Sequence, residues 1–211
     1  MRCFVLLPET LDKNQQTVYT HIQIANCASR FIRGDDLMIT ARKHRPSVNS
    51  NTKLITLSAL FAAMTFALTA FIHIPTAKGY IHIGDAAVFI AASLLPKPYA
   101  VASAAIGACL SDAISGYWIW VPATLLIKGL TALAFTCTKS RIINPRNLTA
   151  LLPAVVLCVG GYGLYSGLFI YGSLPAGFID APANLFQTAA SAAVYIAFGL
   201  TLDKSGLKKK I

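Results

Sequence analysis

The sequence predicts an all-α integral membrane protein: a bundle of six transmembrane helices with both termini cytoplasmic. Three observations lead there. Over 211 residues the chain is 55% hydrophobic and only 12% charged, with a mean hydropathy of +0.61, values outside the range of ordinary soluble domains. The apolar residues are blocked into runs approaching the ~20 residues that a bilayer demands of a spanning helix. The basic residues flank those runs instead of interrupting them.

Residues 1–52 carry Gln15-Gln16, Asp35-Asp36, Arg42-Lys43-His44-Arg45 and a Ser/Asn-rich stretch without sustained period. They read as a disordered or loosely structured basic arm ahead of a membrane domain at 53–211. Met38 opens a shorter basic leader and is an alternative start. Residues 1–8 are too short an apolar run for a secretory signal, so no cleaved leader is expected.

The first predicted span covers about residues 54–74 and stops at Pro75. The second opens near Asp85 and is cut short by Pro96-Lys97-Pro98, because proline removes a helix donor and clashes with the preceding turn. The third covers about 99–115, the fourth 119–138, the fifth 151–171 and the sixth 179–202. Spans two and three are too short to stand upright in lipid on their own, which calls for cover from neighbours or local thinning of the bilayer.

Orientation follows from charge. Arg42, Lys43, Arg45 and Lys53 precede span one, Lys97 divides two from three, Lys139, Arg141 and Arg146 divide four from five, and Lys204 and Lys208 to Lys210 follow six. With six spans these all fall on one side, against Lys78 on the other, so the positive-inside rule places both ends in the cytoplasm. The net charge of +10 is therefore a topology signal and no nucleic-acid partner is expected. Five cysteines without a CxxC pair predict neither a disulfide framework nor a metal site, and no cofactor is expected.

Chemistry concentrates where ionised groups meet apolar runs, since a charge at mid-bilayer costs roughly 2.5–3.5 kcal/mol on insertion scales and survives only with a partner or a ligand. Asp85, Asp112 and Asp180 converge toward the outer face. Lys128, nine residues into span four, sits roughly 13 Å below its outer end, within reach of Asp112. Two readings stand: an outward-facing pocket with a charged floor, or an internal Asp112–Lys128 pair that only holds helices together.

The segment Gly79-Tyr80-Ile81-His82-Ile83-Gly84-Asp85 alternates polar and apolar residues, as an extended loop over a pocket mouth would. Tyr80 and His82 then share a face, and Gly84 permits close approach of backbone to a ligand. Asp85 either contacts ligand or caps the helix that follows, and His82 is equally well read as a solvent-exposed loop residue. Tyr117, Trp118 and Trp120 form an interfacial aromatic belt by default, with Trp118 a candidate to stack on a flat heterocycle. Asn184 and Gln187 share a helix face and offer amides to a ligand or to a neighbouring helix.

Ala59, Ala63 and Ala67 repeat every four residues, a smooth ridge that lets a second helix approach closely. Gly160-Gly161-Tyr162-Gly163 lies inside an apolar run and follows no strand, which rules out a nucleotide loop and favours a packing groove.

The loop segment, Gly107-Ala108-Cys109-Leu110-Ser111-Asp112, Pro122-Ala123-Thr124-Leu125-Leu126-Ile127-Lys128-Gly129 and the alanine ridge together resemble the substrate-binding S component of an energy-coupling factor transporter, in its riboflavin-transporter-like branch. The likeness spans about residues 54–202, and the arm has no counterpart. It implies a multi-pass protein of the bacterial plasma membrane that captures a small vitamin-like ligand, with no enzymatic activity of its own. It also implies a transmembrane coupling subunit docked on Ala59, Ala63 and Ala67, and two ATPase subunits; this chain carries no Walker motif. The candidate ligand residues are Tyr80, His82, Gly84, Asp85, Asp112, Trp118, Lys128, Asn184 and Gln187. A stand-alone ion-coupled secondary transporter is the alternative, although the halves show no inverted repeat. An intramembrane enzyme is disfavoured by the lack of an HExxH motif or a deep Ser/His pair.

Overall fold

The computed structural model describes residue 12, residues 50–75 and 80–206, and residue 208. The arm before residue 50, apart from Asp12, lies outside these, as do Met38, Lys78 and Gly79. The chain divides into two units, 1–48 and 49–211; the described architecture belongs to the second.

Helix α1 (Ser50–Ala70) leads into a two-stranded antiparallel hairpin, β1 (His73–Pro75) and β2 (Tyr80–His82), in which His73 faces His82 and Pro75 faces Tyr80. Then come α2 (Asp85–Leu94), α3 (Lys97–Ile114), a 3₁₀ turn at Trp118–Trp120 and α4 (Val121–Ala134). Helices α5 (Pro145–Thr149) and α6 (Leu151–Val156), a π-turn at Leu157–Gly161 and α7 (Tyr162–Phe169) follow one another along one apolar stretch, Pro145–Phe169. A short α8 (Leu174–Gly177) turns the chain into α9 (Ala181–Lys204).

The described residues are thus mostly helical. Three helical stretches, Ser50–Ala70, Pro145–Phe169 and Leu174–Lys204, are long and apolar enough to cross a membrane, and Asp85–Leu94 and Trp118–Ala134 are shorter apolar helices. The extended loop read over 79–85 is, at residues 80–82, a strand of the hairpin: alternation marks extended chain, but pairing depends on β1, whose His-Ile-Pro is too short to signal itself. The first span ends about four residues early because the chain leaves the helix to enter β1.

Helix α2 explains how short apolar elements are accommodated. Ten residues rise only about 15 Å, half the hydrocarbon thickness, and every residue from Asp85 to Leu94 is buried. It is packed among α1, α3, α4 and α9, which cover it from lipid. Its Phe89 stacks on Phe135 and meets Tyr195 edge-on, with ring centroids 5.0 and 5.9 Å apart, a geometry that adds to simple area burial. The outer surface is the reverse of this core, with Leu60, Ile106, Leu126, Leu152, Leu168 and Phe198 exposed, as lipid contact requires.

Close helix contact is bought with small side chains at two places. A Cβ on Gly107 would lie 2.4 Å from the Ala62 carbonyl oxygen, which is why α3 packs flush on α1. A Cβ on Gly177 would lie 2.3 Å from the Gly163 oxygen, so α8 sits in a groove made by Gly163 and Gly167. At the other end of the bundle the fully buried Asn147 donates to Ser93 Oγ, Thr136 O and Ile142 O and accepts from Thr136 N. Asp203 accepts from the Ile142 and Ile143 amides. These bonds satisfy the irregular backbone of residues 135–144 away from water.

Candidate functional site

A pocket opens between the hairpin, the ends of α3 and α4, α7 and the start of α9. It holds roughly 510 Å³ of atom-free space, open solvent at its mouth included. Tyr80, Ile81 and His82 line it from the hairpin, Asp112, Trp120, Thr124 and Tyr162 from α3, the 3₁₀ turn, α4 and α7, and Asp180, Ala183, Asn184 and Gln187 from the start of α9. The hairpin delivers its wall because strand pairing with β1 fixes the direction in which Tyr80 and His82 point. Their rings lie 5.6 Å apart, with Tyr117 4.8 Å and His73 4.9 Å from Tyr80.

Beneath this lies a buried ion pair. Lys128 Nζ is 2.6 Å from Asp85 Oδ1, with the side chains 2% and 5% exposed. The lysine therefore pairs with Asp85, and of the two readings left open by the sequence the internal Asp112–Lys128 pair is not the one formed. Sequence placed both carboxylates at the same depth; the packing of α2 at the centre of the bundle gives Asp85 the contact. Asp85 also does not cap α2, whose N-cap is Gly84 with no side-chain cap; its carboxylate turns inward, still in the first helical turn where negative charge is favoured. Tyr162 covers the lysine from the pocket side, its ring centroid 5.3 Å from Nζ, and shares its hydroxyl with Thr124 Oγ1 at 3.1 Å.

Gln187 ties pocket to ion pair. Its Nε2 donates to Asp85 Oδ2 at 3.2 Å and its Oε1 accepts from the His82 backbone N–H at 3.2 Å. One amide thus fixes strand β2 relative to α2 and α9. Asp112 belongs to the pocket: Tyr80 donates its phenolic hydrogen to Oδ1, while Oδ2 is buried without a hydrogen-bond partner. Burial first, then the Asp112 charge, hold the Tyr80 phenol protonated far above its ordinary value. His82 is only partly exposed, which corrects the solvent-loop reading. Desolvation, helped by the charges on Lys128 and His73 and opposed by Asp85, lowers its pKa from 6.5 to about 4, so it is neutral at physiological pH.

Of the predicted ligand residues, Tyr80, His82, Asp112, Asn184 and Gln187 line the pocket, and Lys128, Asp85 and Gly84 lie behind its wall. Gly84 is needed for packing, since a Cβ there would fall 2.0 Å from Thr69 Oγ1. Trp118 is 69% exposed and points away; Trp120, two residues on, takes the pocket position. Both lie in the 3₁₀ turn, where residues two apart point to different faces, so only one of the two rings can enter the pocket. Sequence reasoning missed Thr124 and Tyr162. Thr124 stands one helical turn before Lys128 and was findable on that spacing; Tyr162, inside a glycine run, carried no signal beyond its hydroxyl.

On the α1 surface, Ala59 and Ala63 are exposed and Ala67 partly so, while Phe61, Thr65 and Thr69 face the bundle. The family model described as ECF-type riboflavin transporter, S component, matches residues 49–204. No curated protein matches the chain.

Proposed function

The chain belongs to the family of ECF-type riboflavin transporter S components, and from that premise we propose that it captures riboflavin or a closely similar flat heterocycle for ATP-driven import. Members are substrate-binding subunits of the bacterial cell membrane and not enzymes. The observation that carries the ligand reading is the pocket itself: aromatic faces from Tyr80, Trp120 and Tyr162, amides from Asn184 and Gln187, and the carboxylate of Asp112. Flat heterocycles with edge donors and acceptors are recognised by that combination.

In this reading the bundle crosses the membrane six times, with both termini in the cytoplasm and the pocket facing outward; the asymmetry of basic residues supports it. The membrane domain is 53–211. The ridge of Ala59, Ala63 and Ala67, turned away from the bundle, is the face for the coupling subunit, which recruits two ATPase subunits. Small side chains there permit a close helix–helix approach that lipid alone would not drive.

Quenching of flavin fluorescence by the purified full chain tests the capture step, and co-purification with the coupling subunit tests the partnership. Ala63→Trp is expected to abolish co-purification and to leave ligand affinity within about twofold, because the residue lies on the opposite side of α1 from the core. An intact complex from that variant refutes the docking face.

A further inference from the structure

Resting on the capture reading above, we propose that His82 is a specificity-determining residue: its ring is locked as the Nε2–H tautomer and donates that hydrogen to a carbonyl oxygen or an unprotonated ring nitrogen at the ligand's edge. The lock lies in the turn between β2 and α2, where the Gly84 backbone nitrogen is 3.1 Å from His82 Nδ1. A backbone N–H can only donate, so Nδ1 accepts, and in a neutral imidazole the single hydrogen then sits on Nε2. The ring is neutral at physiological pH because burial lowers its pKa to about 4.

The rest of the residue is already committed. Its backbone N–H donates to Gln187 Oε1 at 3.2 Å, so strand and ring are both held in place. His82 lines the pocket, and no described residue accepts from Nε2, which leaves that hydrogen as the one His82 has to give. Its polar neighbours cannot stand in for it. The Tyr80 hydroxyl spends its hydrogen on Asp112, and Gln187 Nε2 spends its two on Asp85 Oδ2 and Cys158 Sγ. A ligand without an acceptor at this point strips water from Nε2–H and returns nothing, which is how a site built around one hydrogen bond rejects close analogues.

Two substitutions separate the two ring nitrogens. An Asn amide reaches only as far as Nδ1, so it can accept from Gly84 but offers no donor to the ligand. A Gln amide reaches the place of Nε2, so it can donate to the ligand but leaves the Gly84 N–H unpaired. With purified full chain in detergent at pH 7.5, quenching of flavin fluorescence is expected to show riboflavin binding weakened at least about tenfold in His82→Asn and only about threefold in His82→Gln. Thermal unfolding is expected to rank the two the other way, with His82→Asn closer to wild type. Affinity that follows stability, with His82→Asn binding as well as His82→Gln or better, overturns the proposal. Should either variant fail to fold, nitrogen-15 NMR of histidine-labelled wild-type protein decides. The His82 ring is expected as the Nε2–H tautomer, with the Nε2 hydrogen shifting when ligand is added; the Nδ1–H tautomer, or no shift, overturns the proposal. If the wild-type protein does not bind riboflavin, the flavin assignment fails instead, and the same ranking is read from the amount of native solute that co-purifies with each variant.

Discussion

Lys128→Met gives the sharpest test of the interior. Nζ and Oδ1 of Asp85 are 2.6 Å apart with both side chains almost wholly buried; at an effective dielectric of 20 their attraction is about 6 kcal/mol before hydration losses. Removing one partner strands the other, and the net cost of breaking such a buried pair is about 3–5 kcal/mol. For a chain of this size each kcal/mol lowers Tm by about 2–4 °C, so the variant is expected to melt roughly 6–20 °C lower. Asp85→Asn/Lys128→Met removes both charges, and its carboxamide oxygen still accepts from Gln187 Nε2, so it is expected to recover most of the loss. Thermal unfolding of the purified variants in one detergent, followed by intrinsic fluorescence, completes a double-mutant cycle. Asp112→Asn added to Lys128→Met is expected to recover little. Rescue by Asp112→Asn as large as that by Asp85→Asn refutes the pairing.

Orientation is open to impermeant thiol labelling in a cysteine-free background: Ser173→Cys is expected to react in intact cells and Ser140→Cys only after permeabilisation, and the reverse pattern overturns the topology. The neutral His82 makes stability depend on pH in a set direction. Because its folded-state value is lowered from 6.5 to about 4, its contribution is fully present above pH 6.5 and is lost as pH falls through that window. The loss is at most about 3 kcal/mol. His82→Gln is expected to flatten the fall in Tm between pH 7 and pH 4.5, and an unchanged slope in that variant assigns the effect to another group.

Sequence alone determined the membrane class and the order of apolar elements, and it singled out the polar residues set among them, because the cost of placing charge or unpaired backbone in hydrocarbon is local and large. Asp85, Asp112, Lys128, Gln187 and Tyr80 all stood out against apolar surroundings for that reason. That Ala59, Ala63 and Ala67 share one face was legible from a four-residue repeat, which is a property of a single helix; that Ala59 and Ala63 turn away from the bundle was decided by packing. The partnerships were not legible. Lys128 is four residues from Thr124 in sequence but finds its counter-ion in Asp85, 43 positions back, and that choice is made by the rotation and depth of α2 among four neighbours. Likewise Trp120 rather than Trp118 enters the pocket because of how the turn at 118–120 is seated on the bundle, and β2 pairs because β1 happens to lie opposite. Burial energies decide which residues leave lipid and water; which of them then meet is decided by packing, and packing is a property of the assembled helices.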